Sequence, residues 1–283
     1  MRITAGARLR LDLAEKGMIP FIGIYDAFSA SVAARYFDGI FISGFGFAAS
    51  FYGMPDIGLI SWSDIVSFAQ RVRTVLPKQH IMVDIDDGYA DDDIACHVVA
   101  LLEAIGASGV ILEDQRRPKR CGHLDGKLIM GLDHYLERLE KVLSTRKDLV
   151  VVARTDASAP DEIIRRVRAF DESGADWILV DGIVDLAMVG ELKAHTAKPL
   201  VFNQIAGGKA PSCSLSTMKN AGIAVPLYST PCIFAAQASL QDALEHLVRY
   251  DGVLPPEGLS QVGLGQCMAL LRENHGKLHK KNE

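Results

Sequence analysis

The feature that most limits how this chain can fold is a recurrence of short, nearly continuous apolar runs rich in β-branched residues, each followed by a longer amphipathic stretch. They lie at Ile19–Ile24, Gly39–Ser43, His80–Ile85, Gly109–Glu113, Leu149–Thr155, Trp177–Val180, Leu200–Asn203 and Ile223–Leu227. Runs without polar alternation suit strands buried on both faces, as in a parallel sheet covered by helices. Helical periodicity fills the intervals at Ser61–Leu76, Asp92–Ile105, Asp133–Leu143, Pro160–Ser173 and Ser214–Ala221, and the first opens with SWSD, a capping sequence. Eight such units predict a closed (β/α)8 barrel spanning 1–283 as one domain. The competing fold is a doubly wound open sheet, but its Gly-rich phosphate fingerprint is missing after the first strand, where the chain reads GIYDAFSAS.

Beyond the eighth strand, Pro231–Tyr250 and Leu259–Asn274 carry apolar residues at helical spacing. These extra C-terminal helices, about 231–275, serve either as an oligomer contact or as further packing on their own barrel. The closing HGKLHKKNE reads as a solvated, mobile basic end.

Charge and cysteine content remove several classes of partner. Thirty Lys and Arg against thirty-five Asp and Glu leave a net charge of −5, giving no overall attraction to nucleic acid or anionic lipid. Five cysteines, at 96, 121, 213, 232 and 267, are odd in number and lack paired zinc spacing, so free thiols in a reducing, cytoplasmic setting are expected. Met1–Lys16 has no apolar core of export type. The longest uncharged stretch, Gly39–Pro55, is broken by Gly, Ser and Pro, so no membrane helix is expected.

In a (β/α)8 barrel, reacting groups belong at the C-terminal ends of strands and in the loops that follow. Asp84 and Asp86 stand two apart in VDIDDGYA, Glu113 ends the fourth run in VILEDQ, and Asp56 lies in YGMPD after the second. Four carboxylates at one rim repel unless a cation lies among them, and all-oxygen ligands favour Mg2+ or Mn2+. Asp91, Asp92 and Asp93 are better read as a cap for the following helix; Asp84 lies inside a strand, where capping cannot serve.

The loop Gln115–Lys127 sets Cys121 among Arg117, Lys119, Arg120 and His123, a cationic setting expected to lower its pKa and suit it to proton exchange with a carbanion. Gly122 and Gly126 suit a gating loop. The other four cysteines read as inert apolar residues. Arg154, in ARTDA, can clamp a carboxylate bidentately or pair with a barrel acid such as Glu113. SGFG at Ser43–Gly46 offers a hydroxyl and backbone N–H groups to an anion, or is a plain Gly turn. Asn203, in VFNQ, is a hydrogen-bond donor or a turn former.

Taken in order, SGFGFAASFYGMPD, VDIDDGYA, LEDQ, KRCGHL, ARTDA and FNQ resemble the isocitrate lyase and phosphoenolpyruvate mutase superfamily over nearly the whole chain. The resemblance implies a barrel whose terminal helix is swapped between subunits of a homotetramer, a dimer of dimers, with Mg2+ and a small α-oxycarboxylate substrate. It makes Asp84 the direct metal ligand, with Asp56, Asp86 and Glu113 holding metal-bound waters. Ser43, Gly44, Phe45 and Arg154 would receive the α-oxycarboxylate, and Cys121 would protonate the carbanion released by C–C cleavage, accompanied by Lys119 and His123.

Two departures bear on substrate. Where the family usually reads DADTGYG, this chain has DIDDGYA, which puts Asp87 in place of a small Thr and adds negative charge near the metal position. Methylisocitrate lyases carry a Glu after strand 6 and an Arg after strand 8 that hold further carboxylates; here those positions align with Asp181 and Phe234. The implied activity is Mg2+-dependent cleavage of a C–C bond in a small 2-hydroxy acid or diacid, giving a 2-oxo acid and a carboxylate. The alternatives are a P–C mutase or hydrolase, such as a carboxyphosphonoenolpyruvate mutase, which is similar at the KRCGHL loop, and a 2-oxo acid decarboxylase. A barrel that binds without catalysing is the reading from outside enzymology.

Overall fold

The computed structural model describes residues 3–256 and 262–279. Eight strands, β1 (Phe21–Ile24), β2 (Gly39–Ile42), β3 (His80–Asp84), β4 (Gly109–Glu113), β5 (Val150–Thr155), β6 (Trp177–Val180), β7 (Leu200–Gln204) and β8 (Ile223–Tyr228), pair in parallel each with the next. β1 also pairs with β8, through Phe21–Leu227 and Ile22–Tyr228, and closes the cylinder. The expected (β/α)8 barrel is present, with strand limits within two residues of those predicted.

Helices α1 (Ala5–Lys16) and α2 (Ala27–Ala33) flank β1. After β2, the short α3 (Gly44–Phe47) runs into a π-helical turn, Ala48–Tyr52. The barrel is wrapped by α4 (Trp62–Val75), α5 (Asp92–Ala104), α6 (Leu132–Thr145), α7 (Pro160–Glu172), α8 (Ala187–Lys193) and α9 (Leu215–Asn220). Ser61 accepts a hydrogen bond from the Asp64 N–H and Asp91 from the Ile94 N–H, so both expected caps form.

Strand alternation divides the apolar residues into two cores. Ile22, Ile24, Ile40, Ile42, Ile81, Val83, Val110 and Leu112 face the helices. Phe21, Phe41, Met82, Ile111, Val152, Trp177, Leu179, Val201 and Leu227 fill the cylinder, and Leu9 and Leu13 of α1 join them. Helix α1 therefore belongs with the barrel interior. Each fully buried Leu of this kind is worth about 1.5–3 kcal/mol in transfer free energy.

The last two helices are α10 (Pro231–Arg249) and α11 (Leu264–His279). No α10 residue is fully buried, and Leu240, Leu244 and Val248, four apart on one face, are 62%, 60% and 86% exposed. Helix α11 touches α4, and the buried Asn274 donates to Ser31 Oγ at 2.7 Å. It extends five residues past the predicted Asn274 end, so the basic tail expected from His275 begins inside a helix. Residues 259–261 of the predicted helix and 280–283 of the tail lie outside the described residues. Among the described residues, no helix is long and apolar enough to cross a membrane.

One side chain couples this scaffold to the barrel mouth. The buried Tyr135 of α6 donates from its hydroxyl to the Leu112 carbonyl at 2.8 Å and accepts from the Arg154 N–H at 3.2 Å, joining the ends of β4 and β5. Tyr135→Phe should lower unfolding free energy by about 1–3 kcal/mol, because two buried backbone groups lose a partner. A denaturant midpoint unchanged from wild type at constant slope would contradict this.

Candidate active site

The alternation that fills the cylinder also selects the residues at its mouth. Two positions beyond the inward-facing Phe41, Met82, Ile111, Val152, Leu179, Val201 and Leu227 stand Ser43, Asp84, Glu113, Arg154, Asp181, Asn203 and Ser229. Each strand from β2 to β8 thus delivers one polar side chain to a single rim, and all seven are buried; β1 has Gly23 at the corresponding position. Asp86 arrives differently: β3 stops at Asp84 and the chain turns through a left-handed residue at Asp86, φ +51°. The Asp86 N–H donates to Asp84 Oδ1 at 3.1 Å.

The predicted carboxylates converge, and the cation among them is Lys119. Its ammonium bonds Asp86 Oδ1 and lies 3.2 Å from Asp56 Oδ1 and 3.6 Å from Glu113 Oε1. Burial alone would drive the proton off Lys119, but Asp56, Asp86 and Glu113 outweigh it and hold the amine charged. Burial pushes Asp84 up to about 6 and Glu113 well above the usual carboxylate range; Lys119 only partly offsets this. Asp56 is raised by burial in the same way.

Among the described residues, no three acidic, imidazole or thiol groups form a ready coordination sphere. The donors nevertheless fit a hard dication. Asp86 Oδ2 and Glu113 Oε1 are buried with no hydrogen-bond partner. Gly44 leaves a gap in which a Cβ would lie 3.3, 3.4 and 3.7 Å from Asp84 Oδ2, Asp86 Oδ1 and Asp56 Oδ1. Oxygen atoms from three residues thus face one space beside orphaned acceptors, a donor set that suits Mg2+ or Mn2+.

Arg154 and Asp181 form a second centre across the mouth. The guanidinium reaches Asp156 through Nε and Nη2 at 2.9 and 3.1 Å, Glu113 Oε2 at 3.1 Å and Asp181 Oδ2 at 2.8 Å. The pairing with Glu113 anticipated from sequence is present. Asp181 also accepts from Asn203 Nδ2 at 3.0 Å and lies 3.3 Å from His123 Nε2. Burial would raise Asp181, but Arg154 and His123 hold it far below the usual carboxylate range. His123 Nδ1 accepts the Lys209 N–H at 3.0 Å, which directs the ring proton to Nε2, toward Asp181. Asn203 accepts from Ser229 Oγ at 2.7 Å, so it is fixed by a network rather than by a turn.

The 115–127 loop is shut over this ground. Gly122 is packed so closely that a Cβ would lie 2.0 Å from Asp181 Oδ2 and 2.7 Å from Arg154 Nη2. Lys127 bonds Asp156 Oδ1 at 2.9 Å and the Gly122 carbonyl. Cys121, half-buried beside them, departs from expectation: its thiol is raised, not lowered. Burial dominates, and the neighbouring cations are already committed, Lys119 to three carboxylates and Arg117 to Asp87. The thiol is therefore a proton donor at neutral pH rather than a standing thiolate.

Ser43 accepts from the Gly46 N–H at 3.3 Å and caps α3, so SGFG is a helical turn whose first N–H groups stand at the mouth beside the carboxylates. Phe45 packs edge-to-face on Phe234 with centroids 5.8 Å apart, placing an apolar wall on that side. The extra acid Asp87 pairs with Arg117 through Nε and Nη2, so its charge is offset within the loop. Asp156, Lys127 and Ser229 were not singled out in the sequence. Asp156 sits in the quoted ARTDA and Lys127 ends the quoted loop, so the signal for both was adjacency to residues already chosen.

Comparison with known proteins agrees with this architecture. A family model described as phosphoenolpyruvate phosphomutase matches residues 9–248. The 2-methylisocitrate lyase of Shewanella oneidensis is 31% identical over 250 residues, covering 85% of each chain. The structure of 2,3-dimethylmalate lyase, a PEP mutase/isocitrate lyase superfamily member, is similar with a TM-score of 0.90 at 28% identity, over 98% of this chain and 95% of that one. Oxaloacetate acetylhydrolase in complex with the inhibitor 3,3-difluorooxalacetate gives a TM-score of 0.90 at 28% identity, over 96% and 95%.

The raised Cys121 thiol has a direct readout. Alkylation of the Cys121 peptide by iodoacetamide, followed by mass spectrometry, should show a pH midpoint above that of an unfolded control peptide. A midpoint below the control would mean that the loop cations, not burial, govern the thiol.

Proposed function

Because the chain belongs to the phosphoenolpyruvate mutase/isocitrate lyase superfamily, we propose that it is a Mg2+-dependent (or Mn2+-dependent) carbon–carbon lyase that cleaves a small 2-hydroxy acid or diacid to a 2-oxo acid and a carboxylate. The observation that carries this reading is the position of Cys121. A protonated thiol stands on a closed loop whose next residue, Gly122, lies against the Arg154–Asp181 pair, with the carboxylate cluster below.

In this account Ser43 and the first N–H groups of α3, from Gly44 and Phe45, receive the α-oxycarboxylate, and Arg154 binds its oxygens. Asp84 would hold the metal directly, and Asp56, Asp86 and Glu113 would hold it through its waters. When bound, the metal supplies fixed positive charge where the α-oxygen gains negative charge. The C2 hydroxyl becomes a carbonyl, its proton passes to the carboxylate cluster, and the C–C bonding pair leaves with the departing fragment. Cys121 gives that carbanion its proton. Lys119 compensates the carboxylates, and His123 with Asn203 fixes Asp181, which holds Arg154 in line.

Substrate size follows from the far wall. Phe234 stands where a methylisocitrate lyase has an Arg, and an aromatic ring leaves a distal carboxylate without a countercharge. A small acid, or one with an apolar substituent, fits Phe45 and Phe234 better than a tricarboxylate.

Five free cysteines support a reducing, cytoplasmic setting. The exposed Leu240, Leu244 and Val248 support a homotetramer in which α10 and α11, the 231–275 segment, supply the contact to a single-domain barrel. Exchange of the α11 contacts between copies would give a swapped dimer.

A panel of 2-hydroxy diacids and phosphonopyruvate-type compounds, read by 2-oxo acid formation with and without Mg2+, tests the reaction. Metal-dependent release of a 2-oxo acid from a hydroxy diacid is expected, with turnover in Cys121→Ser reduced at least about 100-fold, the loss expected for a positioned proton donor. Near-normal turnover in that variant would remove the thiol's role. A shifted phosphorus resonance from a phosphonate substrate, without hydroxy-acid cleavage, would move the chemistry to a P–C bond.

A further inference from the structure

We propose that Arg117 and Asp87 form a latch that holds the 115–127 loop shut, making Arg117 a positioning residue for Cys121. Asp87 lies in the turn after β3 with its side chain 4% exposed, and Arg117 grips it with Nε at 3.2 and 3.1 Å from the two carboxylate oxygens and Nη2 at 3.0 Å. The remaining nitrogen, Nη1, donates to the Gly58 carbonyl at 2.6 Å. One guanidinium therefore ties the loop to two other segments of the rim, the turns after β2 and β3.

The anchor is itself rigid. Buried Arg138 of α6 donates to the Asp87 carbonyl and bonds Asp92 Oδ1 at 2.6 Å, fixing the acid to the outer helices. Lifting the loop would take Arg117 off a buried carboxylate that has no other side-chain cation bonded to it among the described residues. An unpaired buried charge is costly, so the pair biases the loop toward its closed form. The loop's other gripping cations serve elsewhere, Lys119 at the Asp86 cluster and Lys127 at Asp156.

The inference rests on the proposed role of the loop in covering substrate, but its test needs no substrate. The rate of Cys121 alkylation at one fixed pH measures how often the loop opens. Arg117→Met and Asp87→Asn should each speed it about tenfold or more, the double variant should go no further than either single, and Arg117→Lys should fall between wild type and Met. All should keep the wild-type melting temperature to within a few degrees. Unchanged alkylation in a folded Arg117→Met protein would overturn the latch, as would additive effects in the double variant. If Asp87→Asn fails to fold, Arg117→Met and Arg117→Lys decide the matter alone, since that side chain is one-third exposed. Loss of the latch with turnover intact, or the converse, separates this inference from the lyase reading.

Discussion

The structure turns on the compensation of negative charge at the barrel mouth. Asp56, Asp84, Asp86, Glu113, Asp156 and Asp181 are brought out of water, and among the described residues the Lys and Arg side chains that meet them are Lys119, Lys127 and Arg154. Lys127 and Arg154 account for Asp156 and Asp181 and Arg154 also meets Glu113, so Lys119 is left with Asp56, Asp84 and Asp86 and a share of Glu113. Buried charges without partners cost several kcal/mol each, so such a cluster persists only with protons or a further cation. The raised proton affinity of Asp84 and Glu113 is the first response, and the proposed dication among oxygen donors would be a second.

The same economy explains the loop. Lys119 is drawn inward by the carboxylates, Lys127 by Asp156 and Arg117 by Asp87, so Cys121 and Gly122 are carried down onto the Arg154–Asp181 pair. The cations that would otherwise acidify the thiol are consumed in closing it, and burial leaves a protonated sulfur over the site. The proposed cleavage, in which a carbanion must be quenched away from water, would make direct use of that arrangement.

Much of this was legible in the chain. The β-branched runs located all eight strands because a strand buried on both faces tolerates little else. The chosen side chains at β2 to β7 reached the rim because alternation beyond an inward-facing core residue leaves them no other face. Helix α1 was not read, although Thr4 caps it and Leu9 and Leu13 lie four apart, because its charges mask the stripe. Helices α2 and α8 were too short for periodicity to speak, and SGFG becomes helical through Ser43 capping and packing that local propensity opposes. The direction of the Cys121 shift was missed because sequence counts nearby cations but not the acids that claim them. Tyr135 and Ser229 act through partners dozens of residues away, which no local pattern records.

On the proposed function, the acidic cluster holds one divalent ion. Thermal unfolding of wild type and Asp84→Asn across a Mg2+ titration tests it most directly. A specific site stabilises by about 2.7 kcal/mol at a hundred times its dissociation constant, a rise of several degrees for a domain of this size. The prediction is a saturable rise in wild type and little or none in Asp84→Asn. No rise in wild type, or the same rise in both proteins, would contradict it.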